Sequence, residues 1–253
     1  MNALTTDAPL TPAEAYVLLD PNGSSSIQAF KITFLLLVSM EVLKVTTVET
    51  RILFLKRGTK QVVSIVRDPP DIFLAAEIVD VVRMARGSEH GPDFLSLAHS
   101  AYKRLFLGPS DIVTARICPA LVAREWLEPT AQDGNSSASR TLYRHTPAGL
   151  AEKQRIESLL DRARQLPAQI DTNPAEAKAI VLAAGSLLLL VPELRTIYGK
   201  LAALDAGRAP DGRSNAASSE PHHAGSLQFG SFEATSVGFD AFEAFFDASR
   251  YTT

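Results

Sequence analysis

Apolar positions recur along this chain in two rhythms, one helical and one of β-branched runs, and the change between them marks the predicted elements. Thr11 reads as an N-cap, Pro12 suits the first helical position, and Glu14 completes a capping box, so a helix from Pro12 to about Leu19 is expected. Pro21-Asn22-Gly23 breaks it, and the serines Ser24 to Ser26 offer the next cap. From Ile27 to Leu43 apolar residues occupy nearly every face of the predicted helix, which places it in a core. Val, Ile and Thr then dominate, and two strands are predicted, Val45 to Leu55 and Gln61 to Val66, around a polar turn at Lys56 to Lys60.

After Asp68-Pro69-Pro70 the spacing predicts a helix from Ile72 to Ala85 with Phe73, Ala76, Val79 and Val82 inward, and another near Phe94 to Phe106. A helix from Ile112 to Trp126 should kink or split at Pro119. Glu128 to Ser139 is loop by composition, and Arg140 to His145 closes a second hairpin. A long helix follows from Pro147 to Leu166, with Leu150, Ile156, Leu159 and Leu160 on its apolar side, and Pro167 ends it. Asn173-Pro174 caps a helix carrying Ala175 to Leu190, where Ala183, Ala184 and Gly185 permit close helix approach, and a last helix covers Glu193 to Leu204.

The fold class expected is therefore mainly α: a compact helical domain over 10–204 with winged-helix-like β-hairpins, after a flexible N-terminus at 1–9. The Gly, Ser, Ala and Pro composition of 205–226 predicts a disordered linker, because such a segment buries too little apolar surface to offset its ordering entropy. Residues 227–253 form a Phe-rich acidic tail, in which Phe239, Phe242 and Phe246 interleave with Asp240, Glu243 and Asp247. That pattern suits docking in a partner's groove or folding back on the chain's own domain, and the three phenylalanines are its candidate partner-binding residues.

Composition narrows the function classes. In a chain of 253 residues with 46% apolar content, the single cysteine, Cys118, cannot form an internal disulfide, so a cytoplasmic setting is the default. The first residues lack the basic start and continuous apolar core of a signal peptide. The apolar windows Phe34 to Val38 and Ala179 to Val191 fall short of the roughly 20 residues of an ordinary membrane span. Net charge is −3, and most of the acidic excess follows Leu204, so the remainder is nearly neutral and offers no basic stripe for nucleic acid. A tandem winged-helix regulator would have to place Ile27 to Leu43 in a DNA groove, for which that segment is too apolar.

No phosphate-binding glycine loop, CxxC, HExxH or GxSxG motif occurs, His90 and His99 are isolated, and His222-His223 lies in the tail. Catalytic residues, metal ligands and cofactors are therefore nominated nowhere, and a noncatalytic protein is expected.

The order of segments resembles the Golgi-phosphoprotein-three-like proteins, the GPP34 domain family. The resemblance is carried by LTPAEAYVLLDPNG (Leu10 to Gly23), FLLLVSMEVLKV (Phe34 to Val45), DPPDIFLAAEIVDVVR (Asp68 to Arg83), ARICPALVAREWLEPT (Ala115 to Thr130), RTLYRHTPAG (Arg140 to Gly149) and AEAKAIVLAAGSLLLLVPELRTIYGKLAAL (Ala175 to Leu204). It implies a helical peripheral-membrane or adaptor protein that binds phosphatidylinositol 4-phosphate or another anionic lipid headgroup, with homo-oligomers through the second hairpin. The family's pocket arginines fall at Phe30, Asp111 and Thr114 in this chain, with Lys31 and Arg116 as the nearest cations, and the only tryptophan is Trp126. Lys31, Arg104 and Arg116 are the candidate anion-binding residues, because a phosphorylated headgroup needs charge-assisted donors held together.

Overall fold

The computed structural model describes residues 10–52, 56–85, 91–106, 111–130, 141–197 and 200–201. The chain is mainly helical with two small antiparallel two-stranded sheets, as its two rhythms predict. The described residues fall into two compact units, one within Met1–Ile32 and Leu105–Glu193, the other within Thr33–Arg104 and Leu194–Thr253.

In the first unit α1 (Pro12–Leu19) is closed by the expected capping box: Thr11 N–H donates to Glu14 Oε2 at 2.9 Å, and Glu14 N–H donates to Thr11 Oγ1 at 3.3 Å. Asp20 Oδ1 accepts from Gly23 N–H at 3.0 Å, and Asn22 pairs with both backbone groups of Tyr143, donating at 2.8 Å and accepting at 3.0 Å. α2 (Ser26–Ser39) follows at once, its first half in this unit and its second half in the other. Ser26 Oγ donates to Asp111 Oδ2 at 2.6 Å, while Asp111 Oδ1 accepts from Thr114 N–H at 3.0 Å and so starts the next helical stretch.

That stretch is continuous, with a wide π-type segment at Val113–Ile117 leading into α5 (Cys118–Ala123). The extra residue in the turn before Pro119 relieves the clash its ring would make with an upstream carbonyl, so the expected kink becomes a bulge. β3 (Leu127–Thr130) pairs with β4 (Leu142–His145), so Glu128 to Thr130 belong to a strand rather than to the expected loop. Thr146 caps α6 (Pro147–Arg164), accepting from Gly149 N–H at 3.0 Å. Pro167 does not stop the helical path; it sits in the first turn of α7 (Leu166–Gln169), where no amide donor is needed.

α8 (Pro174–Ala184) ends six residues before expected, at Gly185 with φ +50°, and Gly185–Leu190 and Pro192–Ile197 continue as tighter 3-10 turns. A Cβ on Gly185 would meet nothing within 4 Å, so this glycine terminates a helix rather than permitting close packing. The unit's core includes Leu18, Phe30, Ile117, Leu121, Ile156, Leu160, Leu166 and Leu188, with Phe30 edge-on to Phe106 at 5.8 Å. Leu150, expected inward, is exposed at the first turns of α6, and Leu159 is half-buried.

In the second unit β1 (Leu43–Ile52) pairs with β2 (Lys56–Ile65) in a long hairpin, from Leu43↔Ile65 out to Ile52↔Lys56. Lys56 to Lys60 are thus strand residues opposite Val48 to Ile52, not the turn. A two-stranded hairpin can leave both faces in water near its end, so charged residues are tolerated there. α3 (Ala75–Met84) starts three residues late, after Leu74 in the left-handed region at φ 66°; its buried residues include Ala75, Ile78, Val79 and Val82, and Ala76 is exposed.

α4 (Phe94–Leu105) is capped by Asp93, whose Oδ1 accepts from Ser96 N–H at 2.9 Å. The segment before it lies along β2: Val63 N–H donates to Pro92 O at 2.9 Å, and Gly91, at φ +111°, leaves no room for a Cβ beside the Val63 carbonyl. Phe34 packs on Phe94 with ring centroids 5.8 Å apart.

α2 and α5 end in the same way. Val42 N–H donates to Leu37 O and Glu41 N–H to Val38 O; Trp126 N–H donates to Leu121 O and Glu125 N–H to Val122 O. Both are Schellman closures, and the left-handed residue that usually is glycine is a glutamate in each, Glu41 at φ 56° and Glu125 at φ 59°. This closure ends α2 at Ser39, four residues before the expected end. A left-handed L-residue costs about 1–2 kcal/mol, offset in part by the smaller unfolded-state entropy of a non-glycine residue. Glu41→Gly and Glu125→Gly should therefore each raise stability by about 0.5–1 kcal/mol in urea unfolding; destabilisation at both sites would show that the glutamate side chains contribute contacts instead.

Candidate functional site

The three candidate cations sit in different settings. Lys31 is 2% exposed, within the buried stretch of α2, so its ammonium is not offered to a surface headgroup. Arg116 is exposed on the π-type segment of the first unit, and Arg104 is exposed at the end of α4 in the second. Phe239, Phe242 and Phe246 lie outside the described residues.

Arg104 has the most informative surroundings. Its guanidinium Nη1 lies beside the sulfur of Met84, which places the end of α4 next to the last turn of α3. Met84 is 61% exposed, out of phase with the inward face of its helix. Arg83, beside it, lies 3.2 Å from Asp80 and 3.7 Å from Asp68. The Asp68 contact ties the segment after β2 to Arg83; Val66 and Arg67 precede Asp68 in that segment and both are exposed. Lys103, next to Arg104, is exposed as well.

Met84, Lys103 and Arg104 are thus exposed at the ends of α3 and α4, next to Arg83, which is paired with the carboxylates Asp80 and Asp68. Part of this arrangement serves the helices, since cations in a last turn complement the helix dipole by about 0.3–1 kcal/mol each. A single exposed apolar residue also needs no explanation. Their combination at one place is what a shallow anionic, partly apolar partner would use.

A second charged cluster, in the first unit, is buried. Glu14 Oε1 is 3.4 Å from Arg124 Nη2, with side-chain exposures of 1% and 6%, and the Arg124 guanidinium lies 5.2 Å from the centre of the Trp126 ring. Glu14 Oε2 is already taken by the Thr11 amide and hydroxyl. The pair thus ties the start of α1 to the end of α5, and the one tryptophan covers it; with so little exposure it is a clamp rather than a receptor.

Among the described residues, no group of three or more His, Cys, Asp or Glu side chains could hold a metal ion, and no helix is long and apolar enough to cross a membrane. Comparison with protein-family models, with curated proteins and with solved structures finds no match.

Sequence reasoning singled out Arg104 but missed Arg83, Met84 and Lys103. A signal existed: once Ile78, Val79 and Val82 are taken as the inward face of α3, a methionine at 84 stands on the polar side. Breaking the buried clamp has a clear sign, because Arg124→Ala leaves the Glu14 carboxylate buried without its counter-ion. Thermal or urea unfolding should show a loss of about 3–5 kcal/mol; a loss under about 1 kcal/mol would mean that water reaches Glu14.

Proposed function

We propose that this protein is a noncatalytic peripheral protein that associates with anionic lipid headgroups through the joined ends of α3 and α4. The observation that carries this reading is the exposed Met84 beside Arg104, with the exposed cations Arg83 and Lys103 next to them in sequence. Each Lys or Arg near an anionic leaflet contributes about 1 kcal/mol, and burying Met84 among acyl chains adds about 1–2 kcal/mol. Charge therefore dominates, and association is weak and salt-sensitive. The resemblance of the segment order to the Golgi-phosphoprotein-three-like family supports the same reading, and of the candidate cations Lys31, Arg104 and Arg116 the reading uses Arg104. A DNA-groove role draws no support, because the helix it would use is buried from Ala29 to Ser39.

Sedimentation with phosphatidylserine-containing vesicles tests this directly. The double substitution Lys103→Glu with Arg104→Glu should lower partitioning by about tenfold or more, whereas Arg116→Glu should leave it within about twofold. Equal sedimentation with neutral phosphatidylcholine vesicles, or equal losses for both variants, would remove the proposal.

A further inference from the structure

We infer that the chain's own acidic Phe-rich segment, Phe239 to Asp247, docks on the Met84–Arg104 surface and occupies it when no lipid is present. This deepens the headgroup reading, and rests on it for the consequence that tail and lipid compete for one surface.

Three observations select this occupant. The first is chemical complementarity: the surface offers the exposed Met84 amid Arg83, Lys103 and Arg104, and the segment offers Phe239, Phe242 and Phe246 interleaved with Asp240, Glu243 and Asp247. Residues 239, 242 and 246 share one face if the segment is helical, which leaves the carboxylates to flank it. The second is attachment, because Leu194 and Leu201, the last buried residues described, belong to the same unit as the surface. The third is reach, for a chain of the composition and length of 202–238 spans roughly 35 Å in root-mean-square, comparable to the size of a small domain.

Tethering makes this contact intramolecular, with an effective concentration of the order of millimolar, so even a weak site is largely filled. An anionic leaflet presents the same chemistry at much higher density, and would displace the segment by offering more charges at once. A carboxylate-rich segment thus acts as a built-in competitor that sets how anionic a surface must be before the protein binds.

The test uses full-length chains and a fluorescent peptide of residues 227–253. One chain carries Phe239→Ser, Phe242→Ser and Phe246→Ser; another adds Lys103→Glu and Arg104→Glu to these. The peptide should bind the tail variant about tenfold more tightly than the unaltered chain, whose own tail fills the site, and binding should fall about tenfold when the two cations are reversed. Equal peptide affinity for the tail variant and the unaltered chain, or insensitivity to the reversal, overturns the inference. A concentration-dependent dimer, abolished by the tail substitutions, also overturns it, because the occupant would then be another copy's tail.

Vesicle binding separates the two readings. The tail variant should bind phosphatidylserine vesicles about tenfold better than the unaltered chain. If the peptide shows the expected selectivity while neither chain binds vesicles, docking stands and the lipid reading fails alone.

Discussion

The structure depends on the burial of one helix. From Ala29 to Ser39 every residue of α2 is buried, polar Lys31, Thr33 and Ser39 included, and its two halves belong to different compact units. Each large apolar side chain so enclosed contributes about 1.5–3 kcal/mol relative to exposure, and Phe30, Ile32, Phe34, Leu37 and Val38 together outweigh any surface pair in the molecule. Ser39 keeps its hydroxyl inside by donating to Leu36 O at 2.7 Å. With this helix committed to the interior, function is left to the elements around it.

Those elements repeat one device. A helix closes on a left-handed glutamate, a strand begins within two residues, and a hairpin and another helix follow, once through Glu41 and once through Glu125. The long hairpin in one unit and the short one in the other therefore have the same local origin. In the unit with the long hairpin, the helix after the hairpin brings Met84 to the last turn of α4, and Arg83 beside it pairs with Asp68 of the segment that leaves the hairpin. The cationic surface is thus a consequence of where two helices stop.

Much of this was legible from residue order. Capping signals at Thr11, Thr146 and Asn173 are local and chemically specific, and each starts its helix where expected. Helix ends were harder, because Glu41 and Ala184 carry no sequence mark as clear as a cap; backbone closure and a left-handed Gly185 decide them. The hairpin shifted because charges at Lys56 to Lys60 mimic a turn, whereas pairing is set by register over ten residues on each strand. At the surface, Arg104 was visible as a cation, but its contact with Met84 joins two helices that no periodicity relates. Lys31 shows the converse: its charge drew attention, while its place in the fully buried stretch of α2 decides its burial.

The most direct measurement of the proposed lipid association is amide hydrogen exchange on the full chain with and without phosphatidylserine-containing vesicles. Slowed exchange concentrated at residues 81–85 and 101–105, the joined ends of α3 and α4, is the expected result. Slowed exchange centred instead on β3 and β4, or no change anywhere, would contradict it.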